Sequence, residues 1–265
     1  MPLPQNPAEA ASYAELLAWQ EQMQRLPSRL DKFTRRVQIR LNGLLPERVH
    51  QAITGTIKQL VRGVLFGSTH LTRRPLEASS LAAREAAVRD HLRDYRLMAT
   101  AEGAVTGAGG FLLGLADFPL LLGLKLKLLF DVAACYGRDV RDYHERLYLL
   151  HIFQLAFSSQ HTRNETYDRL AHWDAYRLTL PAEAADFDWR TFQQEYRDYI
   201  DLAKMAQLVP VIGAAVGAVA NYRLLQQLGA TAMNCYRLRY FAAPAAAQLP
   251  PAEVVPPAPE LRPTH

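Results

Sequence analysis

Apolar residues recur along most of the chain at intervals of three and four, the spacing of one helix face, while strict alternation is almost absent. The pattern predicts an all-α protein, a multi-helix bundle. Leu26, Leu30, Phe33, Val37, Leu41 and Leu44 form one stripe, with Ser28 and Asp31 placed as a capping pair and Pro46 closing the segment. A second helix is expected from Pro46 through Val49, Ile53, Ile57, Leu60, Val64 and Leu65 to Gly67, a position where glycine ends helices. A third is expected from about Pro75 through Leu81, Val88, Leu92 and Tyr95 toward Glu102. Residues 138–203 read as polar and aromatic, with Asp188 placed to cap a helix carrying Trp189, Phe192, Tyr196 and Ile200 on one face.

The centre has a different character. Residues 103–116 hold no charge, and five of these 14 residues are glycine; Asp117 and Pro119 then interrupt the run before residues 120–130 continue it. Fourteen residues are too few for a bilayer-spanning helix, which needs about 20. A bent pair of helices is expected instead, packed through the GxxxG spacings of Gly103, Gly107, Gly110 and Gly114. Residues 205–222 form an 18-residue uncharged run with a further GxxxG at Gly213 and Gly217; Pro210, Gln207 and Asn221 weaken it as a membrane span. Two glycine-rich apolar hairpins or helices, 99–137 and 205–241, are thus expected at the centre of the bundle.

Charge divides the chain further. The net charge is only +4 over 265 residues, yet residues 25–74 carry eleven Lys or Arg against Asp31 and Glu47, a local +9. Arg29, Lys32, Arg35, Arg36 and Arg40 stand opposite the first apolar stripe, so an anionic membrane surface is the expected partner. Interleaved aromatic residues and a groove-entering motif are missing there, which argues against nucleic acid. The expected organisation is a leading segment 1–24, one helical domain 25–241 with amphipathic basic helices at 25–74, and a polyproline-like tail 242–265 with seven prolines. Two cysteines, Cys135 and Cys235, build neither a disulfide framework nor a zinc set, and the opening residues have no secretory pattern. Cytoplasmic residence is therefore expected, peripheral to the inner membrane face or partly inserted in it.

The search for chemistry finds no nucleotide-binding loop, no GxSxG elbow and no HExxH pair, so no cofactor, metal or catalytic residue is assigned. Asp139, Asp142, His144 and Glu145 form the densest set of potential ligands, and a solvated turn explains them better than a site. Polarity inside apolar sequence is the less ordinary feature. Asp117, Lys125, Lys127 and Asp131 interrupt one hydrophobic run; Asn221 and Arg223 end the other. Folding must pair these groups or leave them at a boundary with water. Lys127 and Asp131, four apart on a helix, are able to meet. Asp117 is expected near Asn221 or Arg223.

Those same runs carry a resemblance. The sequence from Glu102 through Thr106 to Gly110, then Gly114-Leu-Ala-Asp-Phe-Pro119, then Ala134-Cys-Tyr-Gly137 with Asp139, resembles the central signature of the EcsC protein family. Val209 through Gly213 to Ala218, then Asn221-Tyr-Arg223, Ala232 and Tyr236-Arg-Leu-Arg-Tyr240, resembles its carboxy-terminal signature. The resemblance covers roughly residues 45–241 and leaves the basic helix before it outside. It implies a bacterial accessory protein, cytoplasmic or membrane-associated, linked to an operon that also encodes an ATP-binding cassette transporter, whose components become candidate partners. It carries over no catalytic residue. The reading that follows is a noncatalytic membrane-associated protein; its alternatives are a lipid- or peptide-directed hydrolase centred on Asp117, Lys125 and Asp131, and a soluble lipid-binding protein.

Overall fold

The computed structural model describes residues 4–25, 79–107, 110–158, 160–183, 186–188 and 214–243, with positions 55, 56, 59, 61, 63, 64 and 192; side chains at 99–119, 121, 160–162 and 214–220 lie outside the described set. Its helices are α1 (Pro7–Gln24), α2 (Leu81–Gly107), α3 (Gly110–Cys135), α4 (Tyr143–Phe157), α5 (Gln160–Ala171), α6 (Trp173–Arg177) and α7 (Ala214–Ala242). No strand occurs among the described residues, as the apolar spacing predicts. The basic stripe with Arg29, Lys32, Arg35, Arg36 and Arg40 lies outside them, as do Gly213 and the tail beyond residue 243. Of the second expected helix, Val61 and Val64 are described, and both are helical and buried.

Local chemistry sets the helix ends. Asn6 caps α1, its side chain accepting from Glu9 N at 2.9 Å, and Pro7 opens the first turn. Apolar spacing did not single out this helix. The third expected helix starts at Leu81 rather than Pro75: Ser79 and Ser80 are non-helical, and Ser80 Oγ accepts from Ala83 N at 3.3 Å. The interruption expected at Asp117 and Pro119 is absent, because α3 runs unbroken from Gly110 to Cys135. The break between helices falls instead in the glycine cluster, with α2 ending at Gly107 and α3 beginning at Gly110. At its far end α3 closes with Arg138 N bonding Ala133 O and Gly137 N bonding Ala134 O, both at 2.9 Å, while Gly137 takes φ 74°. That pair of bonds is a Schellman cap, and the left-handed backbone at its turn suits glycine.

The segment read as polar and aromatic holds the most deeply buried helix. Every residue of α4 from Leu147 to Phe157 is buried, including His151 and Gln154. A helix apolar on all sides belongs in the middle of a protein. Beside it runs α7, which touches most of the bundle. Tyr148 of α4 donates to Cys235 O at 2.7 Å, and Gln227 donates to Ala156 O at 2.7 Å, so α4 and α7 are antiparallel. Helix α2 lies antiparallel to both α3 and α7, pairing Tyr95 with Asp131 and Glu85 with Arg237. At Gly229 the α7 backbone lies against Leu92 of α2, so that a Cβ there would stand 2.2 Å from Leu92 Cδ2. Helix α1 leans across one end through Tyr13, which meets Phe241 edge-on with ring centroids 5.0 Å apart.

Candidate functional site

The charges inside the glycine-rich runs meet partners in the bundle. Lys125 is buried on α3, and its Nζ donates to Asn221 Oδ1 of α7 at 2.6 Å. Asn221 therefore ties the two runs together through Lys125. One and a half turns along α3, Asp131 Oδ2 accepts from Tyr95 OH at 2.7 Å and from Lys127 Nζ at 3.1 Å. Lys127 reaches that carboxylate from a partly exposed position, as an i,i+4 pair allows, whereas Asp131 is buried. Its other oxygen, Oδ1, is buried without a hydrogen-bond partner among the described residues. Arg96 lies over the Tyr222 ring at 5.4 Å, and Arg223 faces solvent. Asp117 is on α3, with its side chain outside the described set, so its expected pairing with Asn221 or Arg223 falls there too. Gly103 and Gly107 lie on α2, Gly110 and Gly114 on α3 and Gly217 on α7.

These pairs fix a level in the bundle: Tyr95 and Arg96 of α2, Lys125 to Asp131 of α3, and Asn221 and Tyr222 of α7. Beyond it, toward the Gly107–Gly110 junction, the side chains change character. Leu97 is 67% exposed, Met98 49% and Leu120 59%, and Tyr222 shows part of its ring. Leu17 and Leu178 are exposed elsewhere, on α1 and just after α6.

At the opposite end of α2 and α7 lies a buried ionic network that sequence reasoning missed. Arg237 and Glu85 are both almost fully buried and pair in a fork, Nε to Oε1 at 2.7 Å and NH2 to Oε2 at 2.9 Å. Ser12 donates to Glu85 Oε2 at 3.1 Å, Arg89 reaches the same oxygen at 2.8 Å, and Asn234 accepts from Arg237 at 3.1 Å. Glu15 of α1 completes the set at 2.8 Å from Arg237. Burial opposes the charge of Arg237, but the hydrogen bonds and charge of Glu85 outweigh it and hold the guanidinium pKa above its ordinary value. From the same stretch of α7, Tyr236 and Arg239 both donate to the buried Glu145, each at 2.7 Å. The Tyr236 ring stacks on Tyr136 at 5.0 Å, yet the Tyr136 hydroxyl is buried without a hydrogen-bond partner among the described residues. Next to the Glu85–Arg237 fork a pocket of about 400 Å³ opens between α1, α2 and α7, lined in part by Glu15, Arg89, Arg96 and Arg237.

The set just after Gly137 is structural. Asp142 caps α4, accepting from His144 N at 2.9 Å; Asp139 pairs with Arg141 in the turn; Glu145 is committed to Tyr236 and Arg239. Among the described residues no group of three His, Cys, Asp or Glu side chains is placed to hold a metal ion. Cys135 and Cys235 are buried and not joined in a disulfide, and burial pushes the Cys235 pKa up. No helix among the described residues is long and apolar enough to cross a membrane.

Sequence comparisons extend this picture. No solved structure matches the chain. "Protein EcsC" of Bacillus subtilis (strain 168) is 43% identical over 226 residues, 85% of this chain and 93% of that protein. "Uncharacterized protein YdbA" of the same organism is 36% identical over 141 residues, 53% of this chain and 52% of its own length. The EcsC protein family profile matches residues 10–241, reaching further toward the amino terminus than the signatures around 45–241 do and taking in most of α1. With its profile covering α1 through α7 and both glycine-rich runs, the chain belongs to the EcsC protein family.

Proposed function

We propose that this protein is a noncatalytic helical accessory protein that docks on the cytoplasmic face of a bacterial inner membrane, dipping its glycine-rich end into one leaflet. The observation that carries the reading is the graded end of the bundle. The pairs Lys125–Asn221 and Asp131–Lys127–Tyr95 form a polar level, exposed Leu97, Met98 and Leu120 lie beyond it, and the uncharged residues 103–116 lie beyond those. The seven residues of α3 from Gly110 to Ala116 rise about 10 Å at helical pitch, which is the depth of an interfacial insertion and a third of a bilayer core. The local +9 of residues 25–74 adds attraction to anionic lipid, about 1 kcal/mol per basic residue close to the surface. Components of an ATP-binding cassette transporter are the proposed membrane partner, on the strength of the family resemblance.

Flotation with vesicles of phosphatidylglycerol and phosphatidylethanolamine tests it. The wild type floats at low salt. Leu97→Glu with Leu120→Glu, both at exposed positions, lose flotation without losing helicity. Gln in place of Arg29, Lys32, Arg35, Arg36 and Arg40 removes the salt-sensitive part of binding. A wild type that stays in the bottom fraction, or floating variants indistinguishable from it, overturns the proposal.

A further inference from the structure

We propose that the pocket between α1, α2 and α7 binds a small organic anion, a phosphate ester with a short apolar body. Arg89, Arg96 and Arg237 face it from two helices, and Glu15 faces it from a third; Gln226 and Asn234 add amides. Among the described residues, counting Glu85 behind the wall, three guanidinium groups stand against two carboxylates, an excess of one positive charge. A volume of about 400 Å³ suits a small organic ligand, and Leu92, Ala230 and Met233 supply apolar lining beside the arginines. Guanidinium forks match phosphate oxygens in pairs, and an apolar wall beside them selects an ester over the free ion.

The pocket is built rather than incidental. Arg237 is held rigid from behind by the Glu85 fork, by Asn234 and, through Glu85, by Ser12. Its remaining side already accepts an anion: the Glu15 carboxylate sits 2.8 Å from NH2 on a side chain that is 62% exposed. Glu15 stands where an incoming phosphate oxygen would bind, so it competes with the ligand as well as closing the wall. Anion binding loosens the hold of α1 on that guanidinium. The inference concerns the end of α2 and α7 away from the glycine-rich tip and stands independently of membrane docking.

Calorimetric titration of the full chain with phenyl phosphate, inorganic phosphate and dihexanoyl phosphatidate below its micelle concentration tests the proposal. Phenyl phosphate binds with a Kd of about 1 mM or tighter, inorganic phosphate more weakly. Arg89→Gln and Arg96→Gln each weaken phenyl phosphate about tenfold, the worth of one charge-assisted hydrogen bond. Glu15→Gln strengthens it by about threefold, since a competing anion is removed, and the exposed position of Glu15 keeps this arm valid if an arginine variant fails to fold. Tighter binding of the phosphatidate than of phenyl phosphate assigns the site to a lipid headgroup; equal binding assigns it to a soluble phosphate ester. Absence of saturation by any probe up to about 10 mM overturns the proposal. So do arginine variants that bind like the wild type, or a Glu15→Gln variant that binds no tighter.

Discussion

The His151 ring lies inside the bundle against Trp173, Tyr176 and Phe192, each 5.6 to 5.9 Å away between centroids, with Nδ1 3.0 Å from Gln154 Oε1. Burial pulls its pKa down to about 4; the Gln154 hydrogen bond opposes the shift and the Arg169 charge adds to it. The folded protein thus binds this proton less readily than the unfolded chain, whose histidine titrates near 6.5. Stability from His151 is complete above about pH 6.5 and drains away as pH falls toward 4. Urea denaturation should register a loss of about 2 kcal/mol between about pH 7 and pH 5 that His151→Phe abolishes. A pH slope unchanged in that variant would assign the acid sensitivity to other groups. From sequence, His151 was one of eight scattered histidines; its burial follows from α4, and α4 has no polar face to reveal which way it turns.

At the scale of elements, the α2–α7 pair depends on a glycine outside either GxxxG run. Gly229 lets Leu92 lie across the α7 backbone, and a methyl group added there meets Leu92 Cδ2 at 2.2 Å, Cδ1 at 2.9 Å and Cγ at 3.1 Å. Leu92 is core and has to change rotamer, so Gly229→Ala should cost about 1 to 3 kcal/mol. In a Leu92→Ala background the same change should cost little, the coupling that a double-mutant cycle reads in thermal unfolding. Equal costs in both backgrounds would mean that Leu92 is not the obstacle. Helix identity was legible along α2, α3 and α7, where spacing and glycine punctuation are strong. Helices α1, α4, α5 and α6 were not. Helix α1 rests on its Asn6–Pro7 start and on contacts with α2 and α7, and α4 carries apolar residues on all sides, so neither shows an amphipathic stripe. Pro119 illustrates the opposite error: a helix breaker by local rule, it sits within the unbroken α3.

For the whole molecule, polarity is arranged by level along α2, α3 and α7. Sequence alone marked Lys125, Lys127, Asp131 and Asn221 as groups that folding must satisfy, and the bundle joins them as Lys125–Asn221 and Lys127–Asp131. It gave no sign of the Glu85–Arg237 fork, whose members are 152 residues apart on surfaces that look solvent-facing until α1 covers them. Charge patterning reads neighbours within a helix; it does not read pairs made by topology. The same levels orient the molecule for its proposed role, with the apolar tip toward lipid and the ionic network and arginine pocket away from it. Site-directed spin labelling tests that orientation most directly, because Cys135 and Cys235 are buried and leave introduced thiols as the reactive ones. A nitroxide at Leu120→Cys, on the tip side, should lose accessibility to an aqueous relaxant and gain it to oxygen when anionic vesicles are added, while one at Leu178→Cys, 82% exposed on the body, should not change. Equal aqueous accessibility at both positions with and without vesicles would contradict insertion of the glycine-rich end.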